Sequence, residues 1–108
     1  MAYSANALGK WTVVRPEDRI DGQKAPELAS WTRSLLGPGR AHLALDLSQV
    51  DYVSSAGLRV FLTLHRDCQA GSGAFALLAP SEAVREVLDV SGFSTLLTIL
   101  SSEDELPA

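Results

Sequence analysis

The sequence has one cysteine, no excess of basic residues and no long apolar run, and each shortage excludes a class of protein. The single cysteine, Cys68, rules out an intrachain disulfide and a zinc site built from several cysteines. No apolar stretch reaches the ~18 residues that a membrane-spanning helix needs. The first residues also lack the charged and then apolar pattern of a secretory signal. We therefore expect a cytoplasmic protein without a membrane span, in which Cys68 is a small buried hydrophobic residue.

The charge balance is acidic. Nine Lys and Arg face thirteen Asp and Glu, which gives a net charge of −4, and the basic residues are scattered along the chain. A protein that binds DNA or RNA needs a basic stripe to match the phosphates. Nucleic acid is therefore not expected to be a direct ligand.

Length and hydrophobic patterning predict one α/β domain. The chain has 108 residues, of which 46% are hydrophobic and 20% charged, as in an ordinary globular protein. Four β-rich or apolar runs are expected to be strands: residues 10–16, 41–47, 74–78 and 96–100. Three segments with helical spacing of apolar residues alternate with these strands: residues 21–37, 54–70 and 80–91. Two end segments are compatible with an antiparallel edge strand and one closing helical turn: residues 1–9 and 102–105.

Strands that alternate with helices imply right-handed crossovers and parallel pairing. The predicted fold is therefore a single domain over residues 1–108, with its core at about 10–100. It has a mostly parallel central sheet of four or five strands and three to four helices. The inner face of the first helix is predicted to carry Ala25, Leu28, Ala29, Thr32, Leu35 and Leu36. The second helix is expected to bury Leu58, Phe61, Leu62 and His65, and the third Val84, Val87, Leu88 and Ser91.

Three residues near these elements have particular expectations. Trp31 lies off the first apolar stripe, which leaves open whether it anchors a partner or makes an outlying core contact. Asp46, near the end of a buried strand, is expected at the carboxyl edge of the sheet, where a carboxylate needs donors. Gly92 is expected to end the third helix.

No arrangement of residues predicts an enzyme. His42 and His65 are far apart and do not have the spacing of metal ligands. The Gly-x-Gly run at residues 71–73 follows a helix instead of a strand, so it is a turn and not a phosphate-binding loop. Asp46 and Asp51 are no better as an acid–base pair than as two solvated loop acids. We therefore expect neither a cofactor nor a metal. Binding of a small molecule at the carboxyl edge of the sheet stays an alternative.

The informative segment leads from the second buried strand through a polar turn into the helix at 54–70. Ser54 is a good N-cap, because its hydroxyl can accept from a backbone N–H two or three residues on. Ser55 then lies in the first helical turn, where unpaired N–H groups and the helix dipole tolerate a phosphate. Gly57 within a helix costs about 1 kcal/mol relative to Ala, which suggests a packing or contact reason for it. From the residues alone, both serines can be simple caps, or Ser55 can be a modification site.

Three segments resemble the STAS domain family, specifically its anti-sigma factor antagonists. Residues 50–60, Val-Asp-Tyr-Val-Ser-Ser-Ala-Gly-Leu-Arg-Val, resemble the signature in which a strand is followed by serines and Gly-Leu at a helix start. Ile20-Asp21 is similar to the family's Gly-Glu-Leu-Asp turn before the first helix. Residues 81–93 are similar to the helix that ends in Ser/Thr-Gly-Leu/Phe. The three agreements occur in the family's order and cover about residues 10–100.

The resemblance implies a switch between protein partners. An antagonist of this kind binds an anti-sigma factor that is also a serine kinase, is phosphorylated at the serine matching Ser55 and then dissociates. A metal-dependent serine phosphatase resets the cycle. The implied partner-binding surface consists of Asp21, Asp51, Tyr52, Val53, Ser54, Ala56, Gly57, Arg59 and Arg66. The chain is expected to be a monomer or weak dimer. The alternative is a STAS scaffold subunit that is never phosphorylated, for example in a lipid-transport ABC complex.

The chain departs from the family pattern at three places. Ser54 stands where many phosphorylated members have Asp. Asp18 stands where the family has the glycine of its first turn. The closing helix, expected at 102–105, is only a stub.

Overall fold

A five-stranded sheet forms the centre of the structure, a computed structural model that describes residues 3–108. The strand order is β1-β2-β4-β6-β7, and β1 pairs antiparallel at the edge while the other four strands run parallel. The predictions of a mostly parallel sheet and of an antiparallel amino-terminal edge strand are both confirmed. Among the described residues, no helix is both long enough and apolar enough to cross a membrane.

The elements alternate along residues 3–108 much as the hydrophobic pattern predicts. The strands are β1 (Tyr3–Leu8), β2 (Trp11–Pro16), β3 (Asp18–Ile20), β4 (His42–Asp46), β5 (Val50–Val53), β6 (Ala74–Leu78) and β7 (Thr98–Leu100). The helices are α1 (Lys24–Leu35), α2 (Ser55–Ala70), α3 (Glu82–Val90) and α4 (Phe93–Leu96). A single 3-10 turn, Glu103–Glu105, follows at the predicted place.

The inner strands of the sheet are apolar on both faces, as parallel strands covered on both sides are. On one face, Val14, Leu45 and Leu77 pack with α1, α2 and α3 in the larger core cluster. On the opposite face lies a smaller cluster of Trp11, Val13, Ala44, Ala76 and Leu78. All long helices therefore contribute to the core on one side of the sheet.

The carboxyl-terminal residues cover the opposite face. Leu106 packs against the smaller cluster, and the Trp11 indole Nε1 donates to the Pro107 carbonyl at 2.7 Å. Arg15 pairs with Glu103 at 2.8 Å and with Asp46 at 3.4 Å. Asp46 also accepts from the Ser48 N–H at 2.9 Å, so it has the donors predicted for it at the sheet edge.

A second, two-stranded parallel sheet was not predicted. It pairs β3 with β5, with Arg19 opposite Tyr52 and Ile20 opposite Val53. The polar turn predicted between the second buried strand and α2 is therefore limited to Ser48 and Gln49, and residues 50–53, which were interpreted as part of it, form β5. Asp51 and Tyr52 are exposed while the strand's two ends are buried, so the short run does not show the pattern of a buried strand.

The first helix is shorter than the predicted segment 21–37. It begins at Lys24, and Leu36 already has extended backbone (φ −90°, ψ 155°). Ala25, Leu28 and Thr32 are buried as predicted. Trp31 is half-buried and packs against the larger core cluster, which decides the open question in favour of a core contact.

The inner face of α2 is rotated from the predicted one. Phe61 is buried as expected, but its buried companions are Gly57, Leu64 and Cys68, while Leu62 and His65 are only half-buried. The predicted burial of Cys68 is confirmed. Burial of the thiol, with a smaller contribution from Asp67, raises the pKa of Cys68 to about 11.

The structure near the end of the chain differs from the predicted one in two details. Within α3, Val84 and Leu88 are buried but Val87 is exposed. Gly92 follows the helix with φ +83°, a left-handed conformation that glycine adopts without steric cost. It leads into α4, which was not predicted, and α4 takes up Leu96, so the last strand is only Thr98–Leu100.

Candidate functional site

The segment that the sequence singles out lies at the amino-terminal end of α2. Ser54 precedes the helix, and its Oγ accepts from the Gly57 N–H at 3.2 Å. The Ser54 N–H donates to the Ile20 carbonyl at 2.9 Å, and its own carbonyl accepts from the Leu58 N–H at 3.0 Å. Ser54 is therefore the N-cap, as predicted: its hydroxyl and carbonyl accept from the first turn of α2, and its N–H joins that turn to β3.

Ser55 is the first residue of α2 and is exposed. Within residues 3–108 its hydroxyl makes no hydrogen bond, in contrast to that of Ser54. The backbone N–H groups of the first helical turn lie around it, and they carry the positive end of the helix dipole. A hydroxyl in this position is accessible and has no structural task.

Gly57 has a structural role in this turn. It is buried, and a Cβ at this position would lie 2.8 Å from the Val53 Cγ1 and 2.9 Å from the Ile20 carbonyl oxygen. Only a residue without a side chain lets α2 approach the β3–β5 pair this closely. Val53 is buried too. Gly57 and Val53, two members of the predicted partner-binding surface, therefore have side-chain positions that face the packing between α2 and the β3–β5 pair.

The short sheet places two further predicted residues beside the helix start. Tyr52 is 42% exposed, and the Arg19 guanidinium carbon lies 4.3 Å from the centre of its ring. The Arg19 Nε also lies 3.9 Å from an Asp21 carboxylate oxygen. Arg19 was not among the predicted site residues, because a three-residue strand is too short to be recognised by its alternation.

Asp21 organises the start of α1. Its Oδ1 accepts from the Lys24 N–H at 3.0 Å and the Gln23 N–H at 3.1 Å, and its carbonyl accepts from the Ala25 N–H. The Lys24 N–H is the largest cause that lowers the pKa of Asp21, and the weaker effect of desolvation opposes it. Asp21 is thus a capping residue with a half-exposed carboxylate.

The predicted surface divides by exposure. The exposed members are Asp51, Tyr52, Ser55, Arg59 and Arg66, and the half-buried ones are Asp21, Ser54 and Ala56. Val53 and Gly57 are the buried remainder. Apart from Arg66, which lies about three turns along α2, the exposed and half-buried members belong to the segments that meet at the start of this helix.

A groove of about 300 Å³ continues this surface between α1 and α2. Its lining is Ala25, Pro26, Ala29, Arg33, Ala56, Arg59, Val60 and Thr63. Sequence reasoning missed it, because a groove between two helices depends on how closely they pack. The small residues that form its floor, three of them alanines, were the only signal.

Two histidines make aromatic contacts away from this surface. The His42 ring contacts Trp11 edge-on, with 5.3 Å between ring centres, and His65 lies similarly against Phe75 at 6.4 Å. Both histidines are therefore part of the packing. Neither lies among the residues that surround Ser55.

Comparisons with known proteins agree on one family. The family model described as STAS domain matches residues 3–106. A Bordetella bronchiseptica protein named "Putative anti-sigma factor antagonist BtrV" is 30% identical over 89 residues, which cover 82% of this chain and 77% of that protein.

Solved structures share the fold at lower identity. A crystal structure described as a putative anti-sigma factor antagonist from Thermotoga maritima has a TM-score of 0.89 at 21% identity, covering 95% of this chain and 89% of that one. The anti-sigma factor antagonist SpoIIAA in its unphosphorylated form has a TM-score of 0.80 at 21% identity, covering 96% and 91%. The Bacillus SpoIIAA structure in the phosphorylated form has a TM-score of 0.72 at 20% identity, covering 96% and 95%.

Proposed function

The chain belongs to the STAS domain family, and from that membership we propose that it is an anti-sigma factor antagonist controlled by phosphorylation of Ser55. In this cycle it acts by binding and not by catalysis. Unphosphorylated, it binds an anti-sigma factor that is also a serine kinase. Phosphorylation of Ser55 ends that binding, and a serine phosphatase restores the free hydroxyl.

The observation that carries the proposal is the contrast between the two serines. The Ser54 hydroxyl caps α2, while the neighbouring Ser55 hydroxyl is exposed and makes no hydrogen bond within residues 3–108. A kinase can therefore reach Ser55 without opening the fold. Transfer forms a bond between the Ser55 Oγ and the γ-phosphorus of ATP, breaks the bond to ADP and passes the hydroxyl proton to a base on the kinase.

The expected consequence of the phosphate is loss of the partner. A phosphoserine carries about −1.5 to −2 charges near neutral pH. The first turn of α2 tolerates that charge, because the helix dipole is positive there. A partner docked over the same turn must instead bury or repel the phosphate, which favours dissociation.

The relatives support this proposal by their names. The Bordetella relative, at 30% identity, carries the name of an antagonist. SpoIIAA, described as an anti-sigma factor antagonist, has been solved in both phosphorylated and unphosphorylated forms. A phosphate on a member of this fold is therefore compatible with the folded domain.

Affinity capture from the native host, with the full chain immobilised, tests the proposal. Wild-type protein and the Ser55→Ala variant should both retain an anti-sigma factor, and Ser55→Asp should lose it. Ser101→Asp is the matched control, because it adds the same charge at an exposed serine in the carboxyl-terminal segment. With ATP, the captured kinase should add one phosphate to the wild type and none to Ser55→Ala, as measured by intact mass.

Two results would contradict the proposal. One is full phosphorylation of Ser55→Ala by the captured kinase. The other is capture of a transporter ATPase that both wild type and Ser55→Asp retain, which would instead indicate the scaffold subunit of a lipid-transport complex.

A further inference from the structure

Arg59 lies one helical turn beyond Ser55 on the exposed side of α2. Side chains four residues apart on a helix are neighbours, with about 5–6 Å between their Cβ atoms. Within residues 3–108 the Arg59 guanidinium makes no ion pair and no hydrogen bond. It is therefore free to reach a group attached to Ser55.

The lack of a carboxylate partner distinguishes Arg59 from arginines on the neighbouring helices. Arg33 on α1 pairs with Asp67 at 2.9 Å, and Arg85 on α3 pairs with Asp89 at 3.2 Å. Asp67 is the only acidic residue of α2, so this helix has no second carboxylate for Arg59. An uncompensated cation stands beside Ser55 although the whole chain has a net charge of −4.

We propose that Arg59 is the intramolecular counter-charge of a phosphate on Ser55. This inference rests on the proposed phosphorylation of Ser55 and assigns a residue to its regulation. An anion four residues before a cation is the favourable order on a helix, because it also agrees with the helix dipole. The guanidinium can form charge-assisted hydrogen bonds to the phosphate oxygens, with the geometry that makes arginine a good phosphate ligand.

An ion pair between Arg59 and a phosphate on Ser55 would also change the groove between α1 and α2. Arg59 lines the groove between α1 and α2. When it turns toward a phosphate on Ser55, the groove loses its unpaired cation, since the other arginine in the lining, Arg33, is held by Asp67. Phosphorylation thus adds negative charge at Ser55 and at the same time neutralises the positive charge available to an acidic group of the partner.

Other charged groups lie near this turn, and their effects on a phosphate at Ser55 must be distinguished from that of Arg59. Arg19 pairs with Asp21 and stacks on Tyr52, so it is already engaged. Asp51 on β5 is exposed and would disfavour the phosphate dianion. Lys24, at the start of α1, has a side chain without an ion pair in the described part of the chain and is the competing candidate.

A titration of the phosphate itself tests the pair. Phosphoserine is placed at position 55 of the full chain by codon reassignment, and its second pKa is followed by phosphorus NMR. Arg59 stabilises the dianion, so Arg59→Gln should raise this pKa by about 0.3 unit, the size expected for an i,i+4 ion pair. Arg59→Lys should keep most of the wild-type value. The difference should vanish at about 1 M salt, where screening acts over roughly 3 Å.

Two variants serve as matched controls. Arg66→Gln removes an exposed arginine of the same helix two turns farther on, and Lys24→Gln removes the competing cation. Both should leave the pKa within about 0.1 unit of wild type, an amount small against the i,i+4 effect. If Arg59→Gln moves the pKa no more than either control, the proposal is overturned. Because no kinase is involved, this outcome would leave the proposed function standing.

Discussion

At the scale of single residues, position in the first turn of α2 decides what each of two adjacent serines does. The Ser54 hydroxyl accepts the Gly57 N–H, whereas the Ser55 hydroxyl faces solvent. Moving one residue along a helix turns a side chain by about 100°, which is enough to separate a capping role from an accessible one. The regulatory proposal depends on this separation.

Asp18 shows a second residue-scale constraint. Its φ is +66°, a left-handed conformation that costs residues with a Cβ about 1–2 kcal/mol, although Asp tolerates it better than most. This is the position at which the family has glycine. Asp18 thus adopts a conformation that would suit the glycine that the resemblance places here.

The left-handed φ of Asp18 predicts that glycine is more stable than alanine at this position, the reverse of the usual order. We expect Asp18→Gly to be more stable than Asp18→Ala by about 1 kcal/mol, because alanine keeps the Cβ clash at this positive φ and glycine removes it. Urea unfolding measures the difference. Asp51, exposed on β5 without a positive φ, is the control, and there alanine should be the more stable variant. Equal or higher stability of Asp18→Ala would contradict the assignment of strain.

At the scale of elements, the contact between α2 and the β3–β5 pair sets the position of the candidate site. The Ser54 N–H bonds to the Ile20 carbonyl, and Gly57 packs directly over Ile20 and Val53. The two contacts are on successive parts of the same helical turn. They hold the start of α2 against the β3–β5 pair, so that Ser55 has a fixed position on the surface.

This packing predicts that Gly57→Ala destabilises the domain. Glycine to alanine within a helix ordinarily stabilises by about 1 kcal/mol. Here the added Cβ meets a backbone oxygen at 2.9 Å, which cannot move aside cheaply, so we expect a net loss of about 1–3 kcal/mol. Thermal unfolding measures it. Gly22→Ala is the control, because a Cβ there has no neighbour within 4 Å, and it should be neutral or slightly stabilising. A stable Gly57→Ala protein would mean that α2 has room to shift.

At the scale of the whole molecule, the two faces of the sheet are covered in different ways. Helices cover one face, while the opposite cluster around Trp11 is covered by the carboxyl-terminal segment with Leu106. Trp11 is only 5% exposed, and its indole bonds to the Pro107 carbonyl. The short carboxyl-terminal segment therefore covers this face of the sheet, as a longer helix could.

Removal of residues 102–108 should expose this face. In a Trp31→Phe background, where Trp11 is the single tryptophan, we expect a red shift of the emission and stronger acrylamide quenching. Full burial of a leucine is worth about 2 kcal/mol and Leu106 is half-buried, so with the lost Trp11–Pro107 hydrogen bond the free energy of unfolding should fall by about 1–2 kcal/mol. Deletion of Ala108 alone is the control and should change neither quantity. Unchanged emission after the larger deletion would show that Trp11 is covered by other groups.

Local sequence determined the main sheet, the three long helices and the identity of the Ser54 cap. Apolar runs and helical spacing are strong signals over ten or more residues, and Ser54 stands directly before a helical pattern. The same information failed for β3, β5 and α4, because elements of three or four residues are too short for a period to be recognised. It also misplaced part of the inner face of α2, where Leu62 and His65 were expected to be buried and Leu64 is buried instead.

Residue types and their order thus determined that this chain forms an α/β domain and that Ser55 lies in the first turn of a helix. Only the tertiary structure decided which neighbours of that serine reach the surface. Gly57 and Val53 became buried because β3 pairs with β5 across about thirty residues of chain, a long-range contact that no local pattern encodes. In the described part of the chain, Arg59 is unpaired because the one acidic residue of its helix, Asp67, lies about 12 Å farther along the axis and pairs with Arg33 from α1.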